Sequence, residues 1–310
     1  MEFEFVMDHK TSEKSSESAP PIRGAMTALV TPFSTGQVDW ARLDALVDAQ
    51  IEGGTDWIVP CGTTGESATL SHEEHDRVLD AVIARVDGRC SILAGTGSNS
   101  TTEAIRLTRH AQSAGTDAAM LVAPYYNRPP DEGLFRHFAA VAESVDLPIV
   151  LYNVPARTGI SISNDVVVRL RKAYPRIVAI KHATGSVDGV TSLLARSDIA
   201  VLSGDDALTY PLLALGAVGV ISVVSNLVPR WTKSLVDAWT NGKPDDALSW
   251  HQRIADLADG LAAYGPNPIP IKTAMAIRGL LDEEFRLPLC PVSREARSGI
   301  EELLRRRELL

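Results

Sequence analysis

The sequence predicts an α/β protein: a (β/α)8 TIM barrel followed by a C-terminal helical region. Short apolar runs alternate with amphipathic stretches from Ala25 to about Trp239, a rhythm typical of strands joined by crossover helices in a parallel sheet. There are eight such runs, the number that closes a barrel of this kind. After Trp239 the letters "NGKP" interrupt the alternation, so the barrel is predicted to end there.

The eight runs read as strands because they are almost continuously apolar. Strands of a barrel are buried on both faces and therefore lose the alternation of a half-exposed sheet. A doubly wound open sheet is the alternative, but no Gly-x-Gly-x-x-Gly follows the first run to support it. The predicted strands are "AMTALVTP" from Ala25, "WIVPCG" from Trp57, "CSILAGTG" from Cys90, "AAMLVAP" from Ala118, "IVLYNVP" from Ile149, "IVAIKHA" from Ile177, "IAVLSG" from Ile199 and "GVISVVS" from Gly219.

Helix starts are indicated by two serines that each precede a glutamate by three positions. Ser71 with Glu74, and Ser100 with Glu103, have the spacing of a capping box, in which both side chains satisfy free amides of the first turn. Proline-rich segments, "YGPNPIP" and "RLPLCP", separate the last helices. Those C-terminal helices are predicted at residues 245–262, 270–281 and 293–308.

Three regions follow from these patterns. Residues 1–21 are rich in Ser, Glu and Lys and are expected to form a flexible N-terminal extension. Residues 22–240 are expected to form the catalytic barrel and residues 241–310 the C-terminal helical region.

Composition excludes several classes of partner. The chain has 310 residues and a formal net charge of −9, which argues against nucleic acid, whose binding proteins carry basic patches. No apolar run is long enough to span a bilayer, and no secretory signal is expected. Three widely spaced cysteines indicate neither a disulfide framework nor a zinc site. We therefore expect a cytoplasmic protein, without membrane partners, that acts on a small molecule.

The ends of the predicted strands supply the candidate chemistry, because active sites of such barrels lie at that rim. Desolvation inside a barrel favours a neutral lysine amine, which can attack a carbonyl and form an imine. Tyrosine and threonine hydroxyls can relay protons, and arginine matches a carboxylate with two hydrogen bonds. These residues predict a lysine-dependent aldolase or lyase for a small keto acid, with no metal and no cofactor. The rim residues are Thr63, Thr64, Tyr125, Tyr126, Tyr152, Arg157, Lys181, Gly204 and Asp205.

The chain also resembles the dihydrodipicolinate synthase branch of the pyruvate-dependent class I aldolase superfamily. The resemblance covers about residues 24–308 and implies a (β/α)8 barrel with C-terminal helices, assembled as a homotetramer of two tight dimers. Each segment alone is weak evidence for the family, but the combination of segments in this order is specific to it. The matching segments are "GTTGESATLSHEEH", "AGTGSNSTTEAI", "PYYNRP", "LYNVPARTG", "IKHATG", "LSGDDA", "GVISV" and "PNPIPIK".

The resemblance implies a catalytic set. Lys181 matches the lysine that forms a Schiff base with pyruvate, before the enamine attacks L-aspartate-4-semialdehyde. The implied product is 4-hydroxy-tetrahydrodipicolinate, on the diaminopimelate route to lysine. Tyr152, Thr63 and Tyr126 match a proton relay, in which Tyr126 reaches the active site of the neighbouring subunit.

The resemblance further implies four substrate-binding residues. Thr64 matches a residue that binds the carboxylate of pyruvate, and Arg157 matches one that engages the carboxylate of the semialdehyde. Gly204 and Ile221 match residues that line the pyruvate pocket.

A second site is implied at the tight-dimer interface, where lysine-inhibited members of the family bind lysine. Glu103 also has a structural alternative as the last residue of a capping box. His72 and His75 have the spacing of two metal ligands, but no third ligand accompanies them, so no metal is predicted. The matching residues are Ala68, His75, Asn99, Glu103 and Tyr125.

His182 departs from the family, which usually carries an acidic residue directly after the lysine. Consecutive side chains of a strand face opposite sides, so if Lys181 points into the barrel, His182 points toward the helices. We therefore expect the departure to affect an outer contact, not the imine chemistry.

Two other functions stay open at this point. A related pyruvate-dependent aldolase or lyase would keep the imine but act on a sugar acid such as 2-keto-3-deoxygluconate or N-acetylneuraminate. Arg157 within "PARTG" favours the short charged semialdehyde. A barrel with a decayed active site would bind a ligand without catalysis, but the lysine, arginine, tyrosines and threonines occur together.

Overall fold

A computed structural model describes residues 21–310 of the chain. The predicted extension, residues 1–21, lies outside the described residues except for Pro21. The strands are β1 Gly24–Ala28, β2 Phe33–Ser34, β3 Gln37–Val38, β4 Trp57–Val59, β5 Ser91–Gly95, β6 Ala118–Val122, β7 Ile149–Asn153, β8 Ile177–His182, β9 Ala200–Ser203 and β10 Gly219–Ser222.

Helices follow most strands. They are α1 Trp40–Glu52, α2 His72–Val86, α3 Thr101–Ala114, α4 Asp131–Ser144, α5 Pro155–Thr158, α6 Asn164–Ala173, α7 Val190–Leu194, α8 Thr209–Ala214, α9 Pro229–Thr240, α10 Pro244–Ala262, α11 Ile269–Ile277 and α12 Arg294–Arg306. Within residues 21–310, no helix combines the length and the apolar character that crossing a membrane requires.

Eight parallel strands close into a barrel, which confirms the predicted fold over the doubly wound alternative. Strands β4 to β10 pair in chain order, and β1 pairs with both β4 and β10. Closure depends on a glycine pair, because Gly24 lies opposite Gly219. A Cβ on Gly219 would lie 2.2 Å from the carbonyl oxygen of Gly24, so the seam admits no side chain there.

The core has two layers because successive strand residues face opposite sides. Along β8, Ala179 belongs to the cluster inside the barrel, whereas Ile180 belongs to the cluster between the strands and the helices. Lys181, the next residue, is therefore on the inner face.

One of the two predicted capping boxes is complete. At α2, Ser71 Oγ accepts from the amide of Glu74, and the Glu74 carboxylate accepts from the amide of Ser71. At α3, Ser100 caps the helix, but the Glu103 carboxylate binds the Ser98 hydroxyl and His72 instead. The predicted box at Ser100 is therefore wrong in its second half, because Ser98 and His72, the first residue of α2, compete for the carboxylate.

The C-terminal region contains the three predicted helices, α10, α11 and α12. Helix α11 ends at Ile277, four residues before the predicted end at residue 281. Gly279 has φ +72°, a conformation that glycine adopts readily and that ends a helix. The hairpin of β2 and β3 was not predicted, since two-residue strands are too short to show a period.

Candidate active site

Lys181 and Tyr152 lie next to each other at the C-terminal ends of β8 and β7. The two residues are register partners, and both are buried, at 5% and 6% exposure. Lys181 Nζ lies 4.2 Å from the centroid of the Tyr152 ring, within the range of a cation–π contact. The ring therefore holds the amine at the rim of the barrel, where the strand pattern predicted it.

Gly204 makes room for the lysine side chain. A Cβ at this position would lie 2.9 Å from both Cγ and Cε of Lys181 and 2.7 Å from Cβ of Ala183. Real Cβ atoms do not approach other atoms so closely. Ile221 is buried in the inner cluster that also contains Tyr152. The structure thus brings four of the predicted residues together: Lys181, Tyr152, Gly204 and Ile221.

Thr63 and Thr64 lie in a tight turn that follows β4, which we call the threonine turn (residues 62–66). The amide of Glu66 donates to the carbonyl of Thr63 at 3.1 Å, and the amide of Gly65 donates to the carbonyl of Gly62 at 3.1 Å. Thr64 is buried, whereas Thr63 is half-buried and lines a cavity. The turn therefore presents the Thr63 side chain to open space above the strand ends.

Arg157 lies on the short helix α5, directly after β7. Its Nη2 donates to the backbone carbonyl of Asn267 at 2.8 Å. Asn267 belongs to the loop before α11, so the C-terminal region orients this guanidinium. Sequence reasoning missed this contact, because Asn267 in "PNPIPIK" is 110 positions from Arg157 and no local pattern links the two.

Tyr126 is not buried with the other relay residues. It is 89% exposed and has φ +72°, which is uncommon for a residue with a side chain. The backbone thus turns this ring into solvent within a single chain.

A cavity of about 530 Å³ adjoins the rim. Thr63 and Arg157 line it, and so do four of the five residues predicted for a lysine site: Ala68, His75, Glu103 and Tyr125. Asn99 does not line this cavity; its backbone carbonyl accepts from Asn127 Nδ2 at 2.9 Å. Four of the predicted regulatory residues and two predicted active-site residues therefore line the same cavity.

One carboxylate of this cavity, that of Glu103, is held in its ionised form by its neighbours. Ser98 donates a hydroxyl hydrogen bond to Glu103, and His72 also contacts this carboxylate, so the pKa of Glu103 is lowered. Burial lowers the pKa of His75, whose Nε2 donates to the carbonyl of Gly95 at 2.9 Å. The cavity thus contains an ionised carboxylate and a neutral imidazole. In residues 21–310, no group of three or more His, Cys, Asp or Glu is placed to hold a metal.

His182 faces away from the barrel interior, on the same side as Ile180. Its Nε2 lies 2.9 Å from the carbonyl of Ser186 and 2.9 Å from the hydroxyl of Thr184. Burial lowers the pKa of His182, so the ring is neutral near pH 7. Its single Nε2 proton is donated to the carbonyl of Ser186, which also accepts from the hydroxyl of Thr184 at 3.1 Å. The imidazole therefore stabilises the loop after β8 through its contacts with Thr184 and Ser186.

A buried lysine on a tyrosine ring, at the rim where (β/α)8 barrels carry their active sites, is the arrangement of a barrel enzyme that can form an imine with a carbonyl substrate. Residues 21–307 match the model of the dihydrodipicolinate synthetase family. A 4-hydroxy-tetrahydrodipicolinate synthase of Geotalea daltonii is 51% identical over 274 residues, 88% of this chain and 94% of the relative. The chain belongs to the dihydrodipicolinate synthetase family.

Solved structures of the family agree with this assignment. A chloride-inhibited dihydrodipicolinate synthase of Acinetobacter baumannii, complexed with pyruvate, superposes with a TM-score of 0.90 at 44% identity and covers 93% of this chain and 100% of its own. The enzyme of Cyanidioschyzon merolae with lysine bound has a TM-score of 0.90 at 39% identity and covers 94% of this chain and 100% of its own.

Proposed function

We propose that the protein condenses pyruvate with L-aspartate-4-semialdehyde to give 4-hydroxy-tetrahydrodipicolinate, in the diaminopimelate route of lysine biosynthesis. The observation that carries the proposal is Lys181, buried at the rim against the Tyr152 ring. The family of the chain supports the choice of substrates, since its relatives carry the name of this reaction. The barrel, residues 22–240, is proposed as the catalytic domain, and residues 241–310 as an appended helical region.

The reaction begins when the amine of Lys181, after losing a proton, attacks the keto carbon of pyruvate and water leaves, forming an imine. Loss of a methyl proton gives an enamine, whose carbon attacks the aldehyde carbon of the second substrate. The amino group of that substrate then attacks the imine carbon, closes the ring and releases Lys181. Water is the only other product.

Hydroxyl groups near the amine move the protons. Tyr152 and Thr63 are proposed to relay protons to and from the imine, together with Tyr126 of a neighbouring subunit. The high exposure of Tyr126 supports this arrangement, because its ring is available to a second chain. We also propose that the protein is a cytoplasmic homotetramer, a dimer of tight dimers.

Four residues are proposed to bind the substrates. Thr64 is assigned to the pyruvate carboxylate, while Gly204 and Ile221 shape the pocket around the keto acid. Arg157 is assigned to the carboxylate of the semialdehyde. An Arg157→Gln variant should raise the KM for the semialdehyde more than the KM for pyruvate.

The imine is tested by trapping. Incubation with pyruvate and borohydride should add a reduced pyruvyl group to Lys181, detected by mass spectrometry of the peptide. Lys181→Ala is the control and should stay unmodified. An unmodified Lys181, under conditions that trap a known lysine aldolase, would contradict the mechanism. Undiminished activity of Lys181→Ala on every candidate substrate would favour a barrel without imine chemistry.

The second substrate is tested separately. Consumption of L-aspartate-4-semialdehyde in the presence of pyruvate supports the proposed reaction. Cleavage of 2-keto-3-deoxygluconate or N-acetylneuraminate, without consumption of the semialdehyde, would assign the protein to the sugar-acid branch instead.

Feedback inhibition by lysine is proposed as a second property. The cavity beside the rim carries an ionised Glu103 that suits the ammonium groups of lysine. Added lysine should lower the rate of the semialdehyde assay, and Glu103→Gln should weaken this inhibition. Glu132→Gln, which alters an exposed carboxylate on α4, is the matched control. A wild-type rate that is independent of lysine would exclude the regulation.

A further inference from the structure

A fully buried ion pair joins the C-terminal helical region to the threonine turn. Lys272 on α11 and Glu66 in the turn are 206 positions apart, yet Nζ lies 2.5 Å from Oε1. Both side chains have 0% exposure. Neither residue belongs to the catalytic or substrate-binding set.

The remaining polar atoms of the pair are also satisfied. Lys272 Nζ donates to the carbonyl of Glu284 at 2.7 Å, and Glu66 Oε2 accepts from the amide of Arg286 at 3.3 Å. The ammonium lies over the ring of Phe33, 4.5 Å from its centroid. A buried charge is tolerated only when it is paired and hydrogen-bonded, so each partner here depends on the other.

The backbone at Glu66 shows why the carboxylate matters. Glu66 has φ +55°, a left-handed conformation that glycine adopts with less strain. Glycine would therefore suit the turn better if the backbone alone mattered. The amide of the same residue donates to the carbonyl of Thr63. The ion pair fixes the side chain of Glu66, and the amide of Glu66 holds the backbone that carries Thr63 and Thr64.

We infer that Lys272 and Glu66 are positioning residues: their pair fixes the threonine turn so that Thr63 meets the imine at Lys181. The inference rests on the proposed function. It assigns the C-terminal region a role in catalysis in addition to stability, because α11 supplies the cation from outside the barrel.

The test uses the full chain and a reaction that needs only pyruvate. Enamine formation exchanges the methyl protons of pyruvate for deuterium in D2O, which proton NMR follows. Glu66→Gln keeps the shape but removes the charge, and Glu66→Gln/Lys272→Met removes both charges. Rates are measured where circular dichroism shows each variant folded. Both variants should exchange and condense about 10- to 100-fold more slowly, as expected for a misplaced catalytic group.

The double variant separates positioning from stability. Replacing both charges leaves no unpaired ion, so its Tm should recover relative to Glu66→Gln, while its kcat should stay low. Arg297→Gln is the matched control, because it breaks the Arg297–Glu283 pair of the same region without touching the turn, and its kcat should equal that of the wild type. Wild-type exchange in folded Glu66→Gln or in the double variant would overturn the inference. Absence of exchange in the wild type would instead overturn the proposed function.

Discussion

Lys181 and Tyr152 occupy partner positions on adjacent strands, and the amine lies 4.2 Å from the ring centroid. The contributions of the ring and of the hydroxyl of Tyr152 can therefore be separated by substitution. Tyr152→Phe retains the ring but loses the proton-relaying group, so kcat for the condensation should fall about 100-fold. Steady-state kinetics measure the effect.

The control for this change is Tyr174→Phe. The Tyr174 hydroxyl donates to Glu143 at 2.6 Å on the outer surface, far from the rim, so kcat should not change. A Tyr152→Phe enzyme with the wild-type kcat would show that its hydroxyl takes no part in the reaction.

Gly204→Ala should displace the side chain of Lys181. The new methyl group would lie 2.9 Å from Cγ and Cε of Lys181, so the lysine side chain must shift from its present position. A shift of this size should slow borohydride trapping of pyruvate about 10- to 100-fold. The Tm, measured alongside, distinguishes a local shift from general unfolding.

A second variant locates the clash. Gly204→Ala/Ala183→Gly removes the 2.7 Å contact with Ala183 but keeps the contacts with Lys181, so trapping should stay slow. Recovery of the wild-type rate in this double variant would show that Ala183, not Lys181, is the sensitive neighbour.

Acid should destabilise the protein through buried histidines. Burial lowers the pKa of His137 from 6.5 to about 4. Its Nδ1 lies 2.9 Å from the hydroxyl of Thr101, within hydrogen-bond distance. Below pH 6.5 the imidazole of His137 binds a proton in the unfolded chain but stays neutral in the folded chain. The free energy of unfolding is therefore unaffected by this group above pH 6.5 and falls by about 3 kcal/mol as the pH falls toward 4.

Urea denaturation between pH 7.5 and 4.5 measures this loss. His137→Gln should reduce the slope of the free energy of unfolding against pH. The slope should not vanish, because burial also lowers the pKa of His75, His182 and His251. An unchanged slope in His137→Gln would contradict the assignment.

His182→Gln should leave catalysis intact. The imidazole contacts Thr184 and Ser186 on the outer side of β8, so kcat should stay within about twofold of the wild type. Loss of the hydrogen bonds should lower the free energy of unfolding by about 1 kcal/mol. A large fall in kcat with an unchanged Tm would place the imidazole in the lysine chemistry instead.

Local sequence patterns determined the barrel and the position of its lysine. Strands buried on both faces must be apolar throughout, so eight runs were visible without knowledge of their partners. The same regularity located Lys181 and Gly204 at strand ends, where such barrels carry their chemistry. Alternation along β8 also predicted the outward direction of His182.

The tertiary structure decided the contacts between distant segments. The spacing of Ser100 and Glu103 matched a capping box, but the folded chain places His72 of α2 and Ser98 against the Glu103 carboxylate, which binds them instead. The pairing of Glu66 with Lys272 spans 206 positions, and no local period encodes such a pair. Periodicity reports which face of an element is buried, whereas the partner of a buried charge is set by how elements pack in space.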